Sequence, residues 1–313
     1  ESSAASDVYK RQLIMHWPEQ KAEIHTINLS LLSYKNIHLS ILREDTLHPT
    51  ISGNKYRKLK YNLLEANRLG IKKILTFGGA FSNHIAATSA AGAEFGFETI
   101  GIIRGDELAR KKELNPTLQL AQENGMSLKF IDRTTYRNKT SQSFLEELQQ
   151  EFGKVYIIPE GGTNSFAVKG CEEIIDERMR DFQYICCPVG TAGTISGIIK
   201  TLNNNQIALG FPALKNAHFL HNEIKKYTLS TNYELINDFH FNGYAKISEE
   251  LIKFVKTLYQ QTNIPLDLVY TGKMLFGLFS MIENNCFLPG TNILAIHTGG
   301  LQGNKGMGLD FDE

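Results

Sequence analysis

Three short segments, far apart in the chain, carry residues able to do cofactor chemistry together: Ser52-Gly53-Asn54-Lys55-Tyr56-Arg57-Lys58-Leu59, Gly78-Gly79-Ala80-Phe81-Ser82-Asn83-His84 and Pro188-Val189-Gly190-Thr191-Ala192-Gly193-Thr194. Lys55 stands at the mouth of a helical pattern, close behind a glycine that lets a bulky ligand approach the backbone. Such an amine forms an imine with an aldehyde once burial or nearby positive charge lowers its pKa, and Arg57, Lys58 and the helix dipole supply that charge. Gly190, Thr191, Ala192, Gly193 and Thr194 join an apolar run to a helical pattern with little side-chain bulk, a setting in which backbone N–H groups converge on a phosphate. An imine-forming lysine and a phosphate cradle together suggest pyridoxal phosphate. Each segment alone has an ordinary explanation. A Lys-Tyr-Arg-Lys run is usually a solvated helix face, and Ser82 or Asn83 serves as an N-cap. A lone His84 more often completes a local hydrogen-bond network. The glycine loop matches neither the Walker nor the dinucleotide fingerprint, so the cofactor reading rests on the combination.

Bringing these segments together requires a regular scaffold. Strand-like runs at Ile37–Arg43, Lys73–Phe77, Thr99–Arg104, Leu128–Ile131 and Val155–Ile158 alternate with helical patterns over Lys55–Arg68, Asn83–Phe95, Leu114–Asn124, Ser141–Phe152 and Ser165–Met179. This order predicts an α/β fold of largely parallel open sheets with helices on both faces. Ligands then sit at the carboxyl ends of strands, where all three segments fall. No repeat, low-complexity tract or Pro/Gly-rich linker marks a domain boundary.

The 313 residues suffice for one large or two moderate domains. Lysine plus arginine (33) balance aspartate plus glutamate (33), which argues against a nucleic-acid or anionic-membrane partner and favours a small-molecule ligand. Apolar stretches are strand-length, short of the roughly 18 residues of a membrane span, and the N-terminus lacks the apolar core of a signal peptide. A cytoplasmic protein is expected. Cys171, Cys186, Cys187 and Cys286 show neither C-x-x-C spacing nor nearby histidine ligands, so they read as buried reduced thiols with no metal role.

In this order, and with Tyr270-Thr271-Gly272-Lys273 and His297-Thr298-Gly299-Gly300, the segments resemble the pyridoxal phosphate enzyme family that contains 1-aminocyclopropane-1-carboxylate (ACC) deaminase and D-cysteine desulfhydrase, of the tryptophan-synthase-β fold type. The resemblance runs from about Ile41 to Gly303. It implies two domains: a larger cofactor-binding one of residues 1–57 and 168–313, and a smaller inserted α/β one of residues 58–167, with the active site between them and a homodimeric assembly. The first dozen residues do not resemble the family and are left out of the fold argument. Family members often continue further past Gly299-Gly300 than this chain.

The resemblance also implies roles. Lys55 forms the Schiff base; Asn83 holds the cofactor's phenolic oxygen; Ser82 and the adjacent amides, with His84 nearby, hold the substrate carboxylate or assist proton transfer. Gly190 to Thr194 hold the phosphate. Tyr244 and Tyr270 face cofactor and substrate, one for ring packing and one for proton transfer or substrate orientation. Characterised ACC deaminases carry glutamate at the position of Thr271 and leucine at that of Thr298, whereas the two threonines follow the desulfhydrase pattern. The implied reaction is α,β-elimination on a small D-amino acid, D-cysteine giving pyruvate, ammonia and hydrogen sulfide. ACC deamination, elimination on another D-amino acid, and cofactor binding without turnover are the alternatives. Whether Lys55 or another group removes the α-proton is left open.

Overall fold

Near-continuous apolar runs need partners on both faces, and the sheet built around Tyr184–Val189 supplies them. In the computed structural model, which describes residues 15–311, this strand has Cys186 in one apolar cluster and Cys187 in another, on opposite faces of the sheet. The strands are β1 Ile24–Ile27, β2 His38–Leu42, β3 Lys73–Gly78, β4 Glu98–Arg104, β5 Ser127–Ile131, β6 Tyr156–Ile158, β7 Tyr184–Val189, β8 Ile207–Pro212, β9 Tyr233–Leu235 and β10 Asn292–Ile296. Six form a sheet in the order β1-β2-β10-β7-β8-β9, and four form a second in the order β5-β4-β3-β6. Every pairing is parallel except the short edge pair β1–β2, in which Ile24 faces Leu42. The fold is mixed α/β, as the alternating pattern predicts. Leu39, Ile41, Leu42 and Leu294 are essentially inaccessible, and each such side chain contributes about 1.5–3 kcal/mol by leaving water.

The helix over Asn83–Phe95 has the bounds its sequence predicts. Ser82 Oγ accepts from the Ile85 N–H at 3.3 Å, and Gly96 ends the helix at φ +71°. The helix expected over Ser165–Met179 is shorter and stops at Glu172, followed by a separate 3-10 turn at Glu177–Met179. The Glu173 carboxylate accepts from Lys60 at 2.8 Å and Tyr61 at 2.6 Å. Asp176 accepts from the Arg178 N–H at 2.9 Å, opening a new turn in place of the old one.

Cys171, Cys186 and Cys187 are buried and free, as expected, but Cys286 is exposed. It follows Asn285, which has a left-handed φ of +59°. Among the described residues, no helix is long and apolar enough to cross a membrane.

Candidate active site

One cavity gathers Lys55, Ser82, Asn83, His84, Gly190, Thr191, Ala192, Gly193, Thr194, Tyr244, Tyr270 and Thr298. It lies where β3 and β7 end and the helices after them begin. Thr271 is not part of its lining. That residue is fully buried directly after Tyr270, with its N–H on Asp267 Oδ1 at 2.7 Å and its own hydroxyl without a hydrogen-bond partner among the described residues.

Lys55 sits one residue into the helix Asn54–Arg68. Gly53 before it has φ +65°, and a Cβ there would stand 1.9 Å from the Thr298 carbonyl oxygen, which also accepts the Asn54 N–H at 3.2 Å. The glycine therefore lets two backbones meet at the cavity floor. Asn54 joins the lysine to the glycine loop, accepting from Lys55 Nζ at 2.9 Å and donating to Thr194 Oγ1 at 2.8 Å. Loss of water around the amine, and then the charge of Lys58, pull the Lys55 pKa down to about 7. Much of it is therefore free amine at neutral pH.

Arg57 does not supply that effect, contrary to expectation. It is buried against Glu44, donating from Nη2 at 2.9 Å and from Nε at 3.0 Å, so its charge is matched where it stands. Lys58 is 2% exposed and donates to the Gly161 carbonyl at 3.0 Å and Thr163 Oγ1 at 3.1 Å. Sequence reasoning counted it only as a flanking charge. Its spacing of three from Lys55 on one helix was the available signal.

The loop before helix Gly193–Thr201 narrows by design of its residues. Ala192 is left-handed at φ +64°, and a Cβ on Gly193 would stand 2.8 Å from Thr163 Oγ1 and 3.2 Å from Lys58 Nζ. The Thr163 and Thr191 hydroxyls lie 2.5 Å apart. An opening walled by hydroxyls and a lysine, closed to any side chain at Gly193, suits a phosphate. A free amine in the same cavity suits the aldehyde, and the Thr298 and Tyr270 side chains in its lining suit the ring of the same molecule. The residues present fit pyridoxal phosphate.

On the opposite wall, Asn83 Oδ1 accepts from Gln302 Nε2 at 2.6 Å, which orients the amide. His84 is 1% exposed, with Nε2 2.7 Å from Thr76 Oγ1. Thr76 gives its own proton to the Ile158 carbonyl at 2.8 Å. The network thus assigns the histidine proton to Nε2. Burial, then Lys55 and Lys58, hold the His84 pKa well below the ordinary value, so it is neutral. Its partners, Thr76 and Thr88, form the local network that a lone histidine usually completes.

Tyr244 and Tyr270 meet edge to face, centroids 6.0 Å apart. Burial raises both phenols, Tyr270 well above the ordinary value, so both are neutral donors at physiological pH. Asp267 Oδ2 accepts from the N–H groups of Val269 at 2.9 Å and Tyr270 at 2.7 Å, fixing where Tyr270 enters the cavity. Tyr244 rides a loop in which Phe241, Asn242, Gly243 and Ala245 all have positive φ. Lys273, 2% exposed, clamps this loop by donating to the carbonyls of His240 at 3.0 Å and Gly243 at 2.8 Å. Sequence reasoning quoted Lys273 without giving it a role, and it missed Asp267. It also missed Arg104 and Glu160, which line the cavity; their places at and just beyond the carboxyl ends of β4 and β6 were the signal.

A family model described as pyridoxal-phosphate dependent enzyme matches residues 27–299. The chain is 32% identical to a putative 1-aminocyclopropane-1-carboxylate deaminase of Thermotoga maritima, over 88% of this chain and 93% of that one. It is 30% identical to the mitochondrial bifunctional D-cysteine desulfhydrase/1-aminocyclopropane-1-carboxylate deaminase of Arabidopsis thaliana, over 90% and 76% of the two chains. Its structure is similar to that of an ACC deaminase homologue, with a TM-score of 0.80, 26% identity and 97% of each chain covered. A hydrogen sulfide-producing enzyme of Fusobacterium nucleatum, with a TM-score of 0.67, 15% identity and 90% and 96% of the two chains covered, shares the fold. Matches of this length support one assignment: the chain belongs to the pyridoxal-phosphate dependent enzymes, in the family that includes ACC deaminase and D-cysteine desulfhydrase.

Proposed function

We propose that the protein is a D-cysteine desulfhydrase, converting D-cysteine and water to pyruvate, ammonia and hydrogen sulfide. The observation that carries this reading is the pair of threonines, Thr298 in the cavity lining and Thr271 directly after Tyr270, buried with its hydroxyl unpartnered among the described residues. A carboxylate facing the cofactor's ring nitrogen would keep that nitrogen protonated and the electron sink strong; a hydroxyl makes a weaker one. When bound, pyridoxal phosphate supplies the sink for charge developing at the substrate's Cα. The weaker sink suffices for a substrate with an acidic Cα–H and a thiolate leaving group. ACC has neither. Deamination of ACC is the second reading, supported by the names of relatives such as the Thermotoga protein.

The roles proposed for the chain's own residues follow from their chemistry. Lys55, its pKa lowered to about 7 so that much of it is free amine at neutral pH, holds the cofactor's aldehyde carbon. Lys58 and the Gly190–Thr194 loop hold the phosphate, and Asn83 the phenolic oxygen. Ser82 and the amides opening helix Asn83–Phe95 hold the substrate carboxylate, as a helix N-terminus favours an anion. Tyr244 and Tyr270, kept protonated by burial, donate hydrogen bonds and exclude water from the reacting face. The division into residues 1–57 with 168–313 and residues 58–167 belongs to the same proposal, supported by a second sheet drawn wholly from Lys73–Ile158. So do a cytoplasmic location, supported by four free cysteines, and a homodimer, supported by the family resemblance alone.

The test is the ratio of kcat/KM for D-cysteine and ACC, in the parent and in Thr271→Glu/Thr298→Leu, with cofactor occupancy checked by absorbance. The parent should prefer D-cysteine, and the ratio should fall at least about tenfold in the double variant, a change of about 1.4 kcal/mol in relative transition-state stabilisation. A parent that prefers ACC overturns the assignment.

A further inference from the structure

We infer that Arg104 is the group that binds negative charge on the substrate's side chain, so that the cavity favours a small amino acid whose side chain carries an anion or, like the D-cysteine thiol as sulfide leaves, develops one. The inference rests on the reading of this cavity as an amino-acid site and goes on to name the class of side chain. Arg104 is the last residue of β4, is itself exposed, and lines the cavity with Gly79, Ser82 and Tyr244. Its guanidinium lies over Gly79, in the loop that leads to Ser82, with Nη2 3.3 Å from where a Cβ on that glycine would stand. On its other side the guanidinium carbon is 5.8 Å from the centre of the buried Tyr136 ring, a cation–π contact that steadies it without neutralising it.

Among the described residues, no carboxylate pairs with Arg104. The acid that shares the cavity, Glu160, is already engaged: one oxygen accepts from the Tyr136 hydroxyl at 2.8 Å and the other lies 3.3 Å from Lys139 Nζ. The other cations of the cavity also have work. Lys55, with its pKa lowered to about 7, is hydrogen-bonded to Asn54 and proposed to hold the cofactor's aldehyde carbon, and Lys58 is held by Gly161 and Thr163 beside the loop proposed for the phosphate. With the phosphate and the α-carboxylate in their proposed places, Arg104 is the cation of the lining, reachable from water, to which no anion has been assigned. A guanidinium offers a planar fork of donors that matches a carboxylate, sulfonate or phosphate oxygen pair. A thiolate departing from Cβ would meet the same positive charge.

The test compares D-aspartate with D-asparagine, equal in size and different in charge, as ligands of the holoenzyme, with equilibrium binding read from the cofactor's visible absorbance. The L-forms are run in parallel, and the aspartate-to-asparagine ratio is read in whichever enantiomer binds. The parent should favour aspartate by about tenfold or more at low salt, the size expected of one charge-assisted hydrogen-bonded pair. Arg104→Gln should reduce that preference to under about threefold while leaving asparagine binding and the unliganded spectrum in place, and Arg104→Lys should retain part of it. A parent with no preference for aspartate, or no binding of either ligand, overturns the inference. So does a glutamine variant that weakens both ligands equally, which would put Arg104 on the α-carboxylate. Because binding is read without turnover, a charge preference lost in Arg104→Gln would stand even if D-cysteine proved not to be eliminated.

Discussion

Lys55 owes its reactivity to the loss of water around its amine and to the neighbouring Lys58, which together bring its pKa from 10.5 to about 7. The sign is that of a cation disfavoured: the protonated form dominates below about pH 7 and the free amine above it. Capture of pyridoxal phosphate by the apoprotein should therefore accelerate about tenfold per pH unit up to about pH 7 and then level off, followed by the growth of absorbance after mixing. A rate still rising at pH 9 would mean a lysine with an ordinary pKa. Ser82 has two candidate duties, capping helix Asn83–Phe95 through Ile85 and binding substrate. Ser82→Ala should lower D-cysteine turnover while leaving the cofactor spectrum nearly unchanged; loss of the cofactor instead would show that the serine serves the helix. At this scale the sequence disclosed residues that sit in glycine-rich or motif-like company. Lys58 and Lys273 received no role in the site because their weight comes from partners distant in the chain. Gly161, for one, is contacted by Lys58 across 103 positions. The partners of the missed Asp267, the N–H groups of Val269, Tyr270 and Thr271, are by contrast local.

Helices and strands place these residues through close backbone approaches that only glycine allows. Gly170 in helix Ser165–Glu172 packs against the helix that carries Lys55, and a Cβ on it would stand 1.9 Å from the Arg57 carbonyl oxygen. Gly170→Ala should cost about 3 kcal/mol or more, because a backbone atom cannot swing aside as a side chain can. It should also slow cofactor capture by shifting Lys55. Denaturant unfolding gives the first quantity, and a loss under about 1 kcal/mol would show that the two helices separate easily. The Tyr244 loop depends on a side chain instead. Lys273→Met removes both hydrogen bonds to the carbonyls of His240 and Gly243, and kcat/KM should fall at least about tenfold with cofactor absorbance retained. The elements themselves were largely legible. Asn83–Phe95 is bracketed by a serine cap and a left-handed glycine, both local signals. Ser165–Met179 is divided because Glu173 answers to Lys60 and Tyr61 from another helix, a tertiary effect that periodicity does not carry.

Across the whole molecule, the cavity is a meeting of two sheets: β3, β4 and β6 bring Ser82, Arg104 and Glu160 from one side, and β7 and β10 bring the glycine loop and Thr298 from the other. Alternating strand and helix patterns foretold the parallel sheets and a cavity at the carboxyl ends of their strands. They did not foretell that Arg57 would leave the cavity to pair with Glu44, since that contact depends on how the turn after β2 folds back on helix Asn54–Arg68. The central claim, that this meeting point holds pyridoxal phosphate on Lys55, has an unusually demanding control, because Lys58 and Lys273 are also buried and also have lowered pKa values. The most direct measurement is borohydride reduction of the holoenzyme followed by mass mapping of its peptides. The account predicts the reduced cofactor on Lys55, with Lys58 and Lys273 unmodified; an adduct on either of those two, or on a lysine outside the cavity, would contradict it.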